Sequence, residues 1–351
     1  MDKNFWIDKK VFITGHTGFK GSWLSVWLSK LGANVIGYSL SPGIDPNMFN
    51  SLSLEKRIKT VFGDIRDYDY LKSQISLAKP DIIFHMAAQA LVLNSYENPM
   101  ETYETNLMGT VNVLNAIRDE LSIKVFINVT SDKCYENKEN LKPFKEGDAM
   151  GGDDPYSSSK ACSELITSAY RSSFFRSGAA IATVRAGNVI GGGDWAPNRI
   201  IPDFIKKINQ KQKLSIRNPS AIRPWQFVLD PLNGYLILAE KLFHNGLDFS
   251  DAWNFGPNNT DNKSVEWLIT EFDKEYGGEN NFEIESSKNY FHEAKHLELD
   301  CSKSIEKLNW TPKINIKNSI LLTCAWYKNF YEKNQDMYKF TLEQIKQFEL
   351  I

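Results

Sequence analysis

Cysteine is scarce in this chain. Cys134, Cys162, Cys301 and Cys324 form no CxxC pair and no disulfide-like framework, which points to reduced thiols and to no bound metal. Long apolar runs are missing as well, so no membrane-spanning helix is expected. The opening residues Met1-Asp2-Lys3-Asn4-Phe5-Trp6 are acidic and polar where a signal peptide needs an apolar stretch, which favours a soluble protein of the cytoplasm. Neither sign of charge prevails. With 41 Lys+Arg against 43 Asp+Glu the formal net charge is −2, giving no global pull toward nucleic acid or anionic membranes. Any phosphate site must therefore be local. Repeats and low-complexity segments are also lacking.

What is present is a core. The chain has 351 residues, 42% of them hydrophobic. Continuous apolar segments at 10–15 (KVFITG), 34–40, 58–63, 81–87, 124–130 and 180–185 read as buried strands. Helical periodicity fills most intervals, as at 19–31, 101–120 and 156–176. This alternation predicts an α/β fold, a Rossmann-type doubly wound parallel sheet covered on both faces. After Gly187 the alternation loosens, and shorter strands, 252–255 among them, mix with helices. The expected division is a dinucleotide-binding domain over residues 1–186, with 226–250 returning to it. Residues 187–225 and 251–351 would form a smaller C-terminal substrate-binding lobe.

Gly15-His16-Thr17-Gly18-Phe19-Lys20-Gly21 joins the first strand to the first helix. Glycines there permit a tight turn, and the helix N-terminus offers free N–H groups to a pyrophosphate. The spacing is GxxGxxG. The second strand ends in Tyr38-Ser39-Leu40, without an acid for a ribose 2′-hydroxyl or an Arg for a 2′-phosphate. NAD is favoured over NADP. Asp64, followed by Ile65, ends the third strand and is a candidate acceptor for the adenine amino group, or else a helix cap. Ala87-Ala88-Gln89 ends the fourth, where small residues let a cofactor lie against the backbone. His16 is out of place in an anion loop. It either points to solvent or crowds the pyrophosphate and weakens cofactor retention.

Thr130-Ser131-Asp132-Lys133 follows the fifth strand, and Tyr156-Ser157-Ser158-Ser159-Lys160 opens a helix. Tyr156 and Lys160 share one helix face, and an ammonium beside a phenol favours the phenolate. Such a Tyr can take a proton from a sugar hydroxyl while hydride leaves for a nicotinamide. Tyr68 and Lys72 repeat the spacing, but lack a partner hydroxyl at a strand end and read as a solvated face. Ser131 is that partner for Tyr156. A simple dehydrogenase needs only Ser131, Tyr156 and Lys160, so Asp132 and Lys133 suggest that a further proton and a water are moved. Asn188, Arg199, Arg217 and Arg223 lie in loops after the sixth strand, where Arg could pair a diphosphate bidentately. Trp195 and Trp225 either wall a base or sugar or fill the core between lobes.

These motifs resemble the extended short-chain dehydrogenase/reductase family, the NAD-dependent epimerases and dehydratases. The likeness runs through the glycine turn, His85-Met86-Ala87-Ala88-Gln89, Thr105-Asn106-Leu107-Met108-Gly109-Thr110, Ser131/Tyr156/Lys160 and Arg185-Ala186-Gly187-Asn188-Val189. It adds Asn106 and Gln89 to the cofactor-binding residues, and Gln89, Asn188, Arg199, Arg217 and Arg223 to the substrate-binding ones. Met150-Gly151-Gly152-Asp153-Asp154-Pro155-Tyr156, Gly191-Gly192-Gly193-Asp194-Trp195 and Arg223-Pro224-Trp225-Gln226 narrow it to sugar-nucleotide 4,6-dehydratases. The resemblance implies C4 oxidation by NAD, loss of water across C5 and C6, and return of hydride to C6. Tyr156 would be the C4 base, Asp132 the acid for the C6 hydroxyl, and Lys133 the C5 base or a stabiliser of the enolate. Relatives acting on dTDP-glucose carry Glu where this chain has Lys133. The implied partner is CDP-glucose or a related nucleoside-diphosphate sugar, in deoxysugar biosynthesis of the kind that feeds O-antigen lipopolysaccharide. A homodimer or homotetramer through a bundle of helices 101–120 and 156–176 is implied too. A sugar-nucleotide 4-epimerase needs no C5 base or C6 acid. A silent cofactor-sensing protein would have no use for Tyr156 and Lys160.

Overall fold

Strands covered on both faces carry unbroken apolar runs, and that pattern sets the architecture here. The computed structural model describes residues 1–138, 142–278, 280–285, 297–333 and 335–351. Its main sheet comprises β1 (Lys10–Thr14), β2 (Asn34–Ser39), β3 (Lys59–Phe62), β4 (Ile82–His85), β5 (Val125–Val129), β6 (Ala180–Ala186) and β7 (Ala252–Phe255). All pairings are parallel, in the spatial order β7-β6-β5-β4-β1-β2-β3. Every residue of β4, β5 and β6 is buried, as their composition predicts. The order reverses between β1 and β4, where Thr14 lies opposite His85, and the crevice beyond that switch point is where such sheets bind ligands.

β7 corrects one expectation. Read as a strand of the second lobe, it pairs with β6 from Ala252 opposite Thr183 to Phe255 opposite Ala186. The chain's return to the main sheet therefore extends beyond residue 250. Residues near the C-terminus also brace the first unit. Helix Met337–Leu350 lies against helix Phe19–Lys30, where Trp27 Nε1 donates to Glu349 Oε1 at 2.8 Å.

Helices Phe19–Lys30 and Leu229–Asn245 cover one sheet face. Tyr68–Ala78, Gly109–Ile117 and Pro155–Phe174 cover the other. The start of Pro155–Phe174 is set locally, since Asp154 accepts from Ser157 N at 2.9 Å and Pro155 occupies the first turn. The continuous helix expected over 101–120 is instead helix Pro99–Tyr103, a π-helical turn Glu104–Met108 and helix Gly109–Ile117. The π turn carries Asn106 inward, and Gly109 follows because a Cβ there would lie 2.4 Å from Ile65 Cδ1.

The smaller lobe is built from two-stranded pairs, Leu214–Ile216 with Phe282–Ile284 and Ile222–Pro224 with Asn262–Ser264. Helices Ile200–Asn209 and Val265–Tyr276 back them, and helix Ile316–Glu332 packs on Val265–Tyr276. All four cysteines are free, as expected. Among the described residues no helix is long and apolar enough to cross a membrane.

Candidate active site

The glycine turn after β1 is made by backbone meeting backbone. Gly15 has φ +79°, and a Cβ on it would lie 2.7 Å from Ala87 N; one on Gly21 would lie 2.2 Å from Gly15 O. Gly18 precedes helix Phe19–Lys30 without any side-chain cap, which leaves the first-turn N–H groups for a ligand. Thr17 Oγ1 ties the turn to the end of β2, 2.8 Å from Ser39 Oγ and donating to Leu40 O at 3.0 Å. Such a cradle fits a dinucleotide diphosphate.

His16 does not point to solvent. Its ring is fully buried, set edge-on to Phe49 with centroids 5.3 Å apart, and packed over Gly37 of β2. Both ring nitrogens are buried, and burial lowers the pKa to about 4 against the opposing influence of the Tyr38 backbone. Asp64 is not the helix cap, a role filled by Asp67. Burial pushes the Asp64 carboxyl up, but Arg66, donating from Nε at 2.9 Å and Nη2 at 2.6 Å, holds it below its ordinary value. Ile65 is buried beneath Gly109. Ala87 and Ala88 are part-exposed, Ala87 directly beside Gly15. Asn106 fixes the next residue, accepting from Gln89 N at 2.8 Å and donating to Gln89 O at 2.9 Å. The Gln89 side chain is consumed locally, donating to Leu91 O and Thr102 Oγ1, each at 3.0 Å.

Beyond the ends of β5 and β6 lies a cleft of 770 Å³, lined by Lys20, Ser131, Asp132, Lys133 and Tyr156 from one side and by Asn188, Arg199, Arg217, Arg223 and Trp225 from the other. Ser131 Oγ donates to Asp132 Oδ1 at 3.1 Å and accepts from Lys133 N at 3.2 Å. Asp132 Oδ2 is buried without a partner among the described residues. Burial raises the Asp132 pKa, while Lys133, Ser131, Arg223 and Lys20 oppose the rise. Tyr156 behaves otherwise than its spacing from Lys160 suggests. Burial pushes the phenol up to about 12, and the Ser131 hydroxyl and the charge of Arg199 oppose the rise. Lys160 Nζ donates to Val129 O at 3.3 Å, and burial together with the charge of Lys20 lowers it to about 8. Burial is the largest influence on both groups, as a low-dielectric setting penalises either charge.

One turn beyond Lys160, Glu164 closes a network that sequence reasoning missed. It accepts from Thr183 Oγ1 at 2.7 Å, from Arg185 Nε at 2.9 Å and Nη2 at 2.7 Å, and from Thr130 Oγ1 at 2.5 Å. Arg185 Nη1 donates to Tyr135 OH at 2.7 Å, and Tyr135 donates to Asn254 Oδ1 at 2.7 Å. A signal was available, since Arg185 is a charge inside an otherwise apolar strand and demands a partner.

The Arg residues divide. Arg199 pairs with Asp194 at 2.8 Å, a partner visible in the glycine-rich loop but not singled out. Arg217 is exposed at the cleft, and Arg223 is buried, donating to Ile222 O at 2.9 Å. Trp195 belongs to the core between lobes, 4.9 Å from the Phe330 ring and 5.6 Å from Trp326, whereas Trp225 lines the cleft. Lys20, expected with the glycine turn at the cofactor, also lines this cleft. Half-buried in the cleft, it is lowered to about 8 by burial and by Arg199.

A family model described as GDP-mannose 4,6 dehydratase matches residues 12–322. The chain is similar to a CDP-glucose 4,6-dehydratase of Salmonella typhimurium, 47% identical over 343 residues that cover 96% of this chain and 95% of that one. Among solved structures it resembles a dTDP-glucose 4,6-dehydratase from Bacillus anthracis in complex with NAD, with TM-score 0.76, 22% identity, and coverage of 95% and 99%. A UDP-glucose-4-epimerase from Stenotrophomonas maltophila with bound NAD has TM-score 0.81 at 19% identity, with coverage of 93% and 99%. At these identities the structural likeness speaks for the fold alone.

Proposed function

The chain belongs to the GDP-mannose 4,6-dehydratase family, and from that premise we propose that it dehydrates CDP-glucose to CDP-4-keto-6-deoxyglucose. The observation that carries this reading is Asp132, a buried carboxylate with one unpartnered oxygen beside Ser131 and Tyr156 in the cleft. A 4-epimerase has no use for such a group. Bound NAD supplies the hydride acceptor for C4 and the donor for C6. Tyr156 and Ser131 take the C4 hydroxyl, Lys160 backs the nicotinamide ribose, and Asp132 protonates the departing C6 hydroxyl. Its raised pKa supports that use, since an acid must hold its proton until it is needed. Lys133 brings its amine to the C5 step. Arg199, Arg217 and Arg223 give the far side of the cleft the charge a nucleoside diphosphate requires.

The helix-bundle homo-oligomer belongs to this reading too. It is supported by exposed Met100, Met108 and Leu165 along segments Pro99–Tyr103, Glu104–Met108 and Pro155–Phe174. A cytoplasmic location fits a nucleotide-sugar substrate. The test is incubation with NAD and a panel of nucleoside-diphosphate glucoses. CDP-glucose is expected to be consumed to a 4-keto product without free NADH. Stoichiometric NADH with every sugar nucleotide would point to a simple dehydrogenase instead.

A further inference from the structure

Ser131, Asp132 and Tyr156 take the reacting sugar, and the arginines suit the diphosphate. The nucleoside is then left to the rest of the cleft wall, where helix Ile200–Asn209 packs on strand Leu214–Ile216. That strand has a single partner, Phe282–Ile284, to which it is parallel. Leu214 N donates to Asn281 O at 2.9 Å, and Ile216 O accepts from Glu285 N at 2.9 Å. Residues along a parallel strand alternate in the edge they serve, so Ser215 turns its own N–H and C=O the other way. No other described strand pairs with that edge, and Ser215 lines the cleft. An open peptide edge offers one donor and one acceptor. It can hold the polar rim of any pyrimidine, and so does not choose among them.

Asp203 stands beside this edge with a different chemistry. It lies in the first turn of helix Ile200–Asn209, its backbone N–H bonded to Arg199 O at 2.9 Å, and it lines the same cleft. It is half-buried, and no side chain hydrogen-bonds or ion-pairs with it among the described residues. Burial raises its carboxyl above the ordinary value, although the Asn198 backbone and the charges of Lys206 and Arg217 oppose the rise. An acid in a first turn suits the helix dipole, but a carboxyl facing solvent would serve that end equally. Inside the cleft it weakens the positive field that Arg199, Arg217 and Arg223 present to a diphosphate. On charge alone Asp203 works against the substrate. What it adds is an acceptor for a donor on the ligand.

We propose that Asp203 selects cytosine, its carboxylate accepting from the 4-amino group while the Ser215 edge holds the ring. The inference rests on the CDP-glucose reading above and gives its base preference a residue. Uracil and thymine carry a carbonyl oxygen where cytosine has the amino group. Against either of them two acceptors face each other, and the half-buried carboxylate loses water without gaining a donor. A site built around such a hydrogen bond rejects the analogue that lacks it more strongly than an apolar pocket does. Pairing of a carboxylate with the cytosine amino group is a recurrent mode of reading this base.

The test measures a ratio. Binding of CDP and of UDP to the NAD-loaded protein is followed by calorimetry, and kcat/KM for CDP-glucose and UDP-glucose by formation of 4-keto product. In the wild type both measures should favour cytosine by about tenfold to a hundredfold, the usual worth of one good base contact. Asp203→Asn keeps the shape, and its amide can turn a donor toward a carbonyl oxygen, so the ratio should fall to near one, chiefly by tighter binding of UDP. Asp203→Ala should lower the ratio as well, chiefly by weaker binding of CDP, and supplies the measurement should the first variant fold poorly. A wild-type ratio in both variants, or an equal loss of CDP and UDP, would overturn the role of Asp203 and leave the dehydratase reading in place. A wild type that converts UDP-glucose as readily as CDP-glucose, or converts neither, would overturn that reading, and the role of Asp203 with it.

Discussion

Two clusters of buried polar groups sit on one face of helix Pro155–Phe174, and they are treated in opposite ways. Around Glu164 both carboxylate oxygens accept from Arg185, and hydroxyls of Thr130 and Thr183 join them. Around Tyr156, one and two turns earlier, Asp132 Oδ2 lacks a partner, the phenol is pushed up and Lys160 is pushed down. Burial costs both clusters desolvation, but only the Glu164 cluster is repaid by partners inside the protein. The difference separates scaffold from chemistry. A saturated cluster has nothing left to give a ligand, while a deficient one is completed by what enters the cleft.

The sharpest way to break that distinction is Tyr156→Phe. The ring still packs and only the phenol hydroxyl, the proton acceptor, is removed, so hydride transfer should fall by about 10²–10⁴-fold while NAD binding stays nearly intact. Calorimetry and bound-NADH absorbance measure the two separately. Turnover near wild type would place the C4 proton acceptor elsewhere. Arg185→Met probes the other cluster and should strike stability rather than chemistry. Removing one partner of a buried pair costs about 3–5 kcal/mol. Urea unfolding should show that loss, with hydride transfer largely kept in the folded fraction. A stable variant with lost chemistry would show the network to be part of the reaction.

The smallest expected effect is at His16. If its ring crowds the cofactor turn, His16→Gly tightens NAD binding by a modest factor, and calorimetry showing unchanged or weaker binding would leave it as floor alone. The same variant tests acid sensitivity. Unfolded, an imidazole takes up a proton near 6.5; folded, His16 resists until about 4. The stability this neutral ring permits is present above 6.5 and lost as pH falls through 4. His16→Gly should flatten that part of the stability curve.

Much of this was legible in the chain. The strands expected for β1 through β6 are present with bounds shifted by a residue or two, because doubly covered parallel strands must be apolar throughout. Ser131, Asp132, Lys133 and Tyr156 do meet in one cleft, since strand ends and a helix start bring those words together. What escaped depends on tertiary contact. β7 looks like any short strand until β6 claims its edge. A local pair rule credits Lys160 with lowering the phenol, whereas whole-site desolvation prevails. Gln89 sits in the expected motif, yet its amide is spent on Leu91 and Thr102, which no spacing announces.

The packing of His16 over Gly37 also bears on mutability. A Cβ at position 37 would fall 2.2 Å from the imidazole carbons, so no other residue at 37 coexists with this ring as placed. The two positions are therefore not independent characters. A larger side chain at 37 requires a smaller one at 16, and a library varying both positions together should recover only pairs in which one of the two stays small.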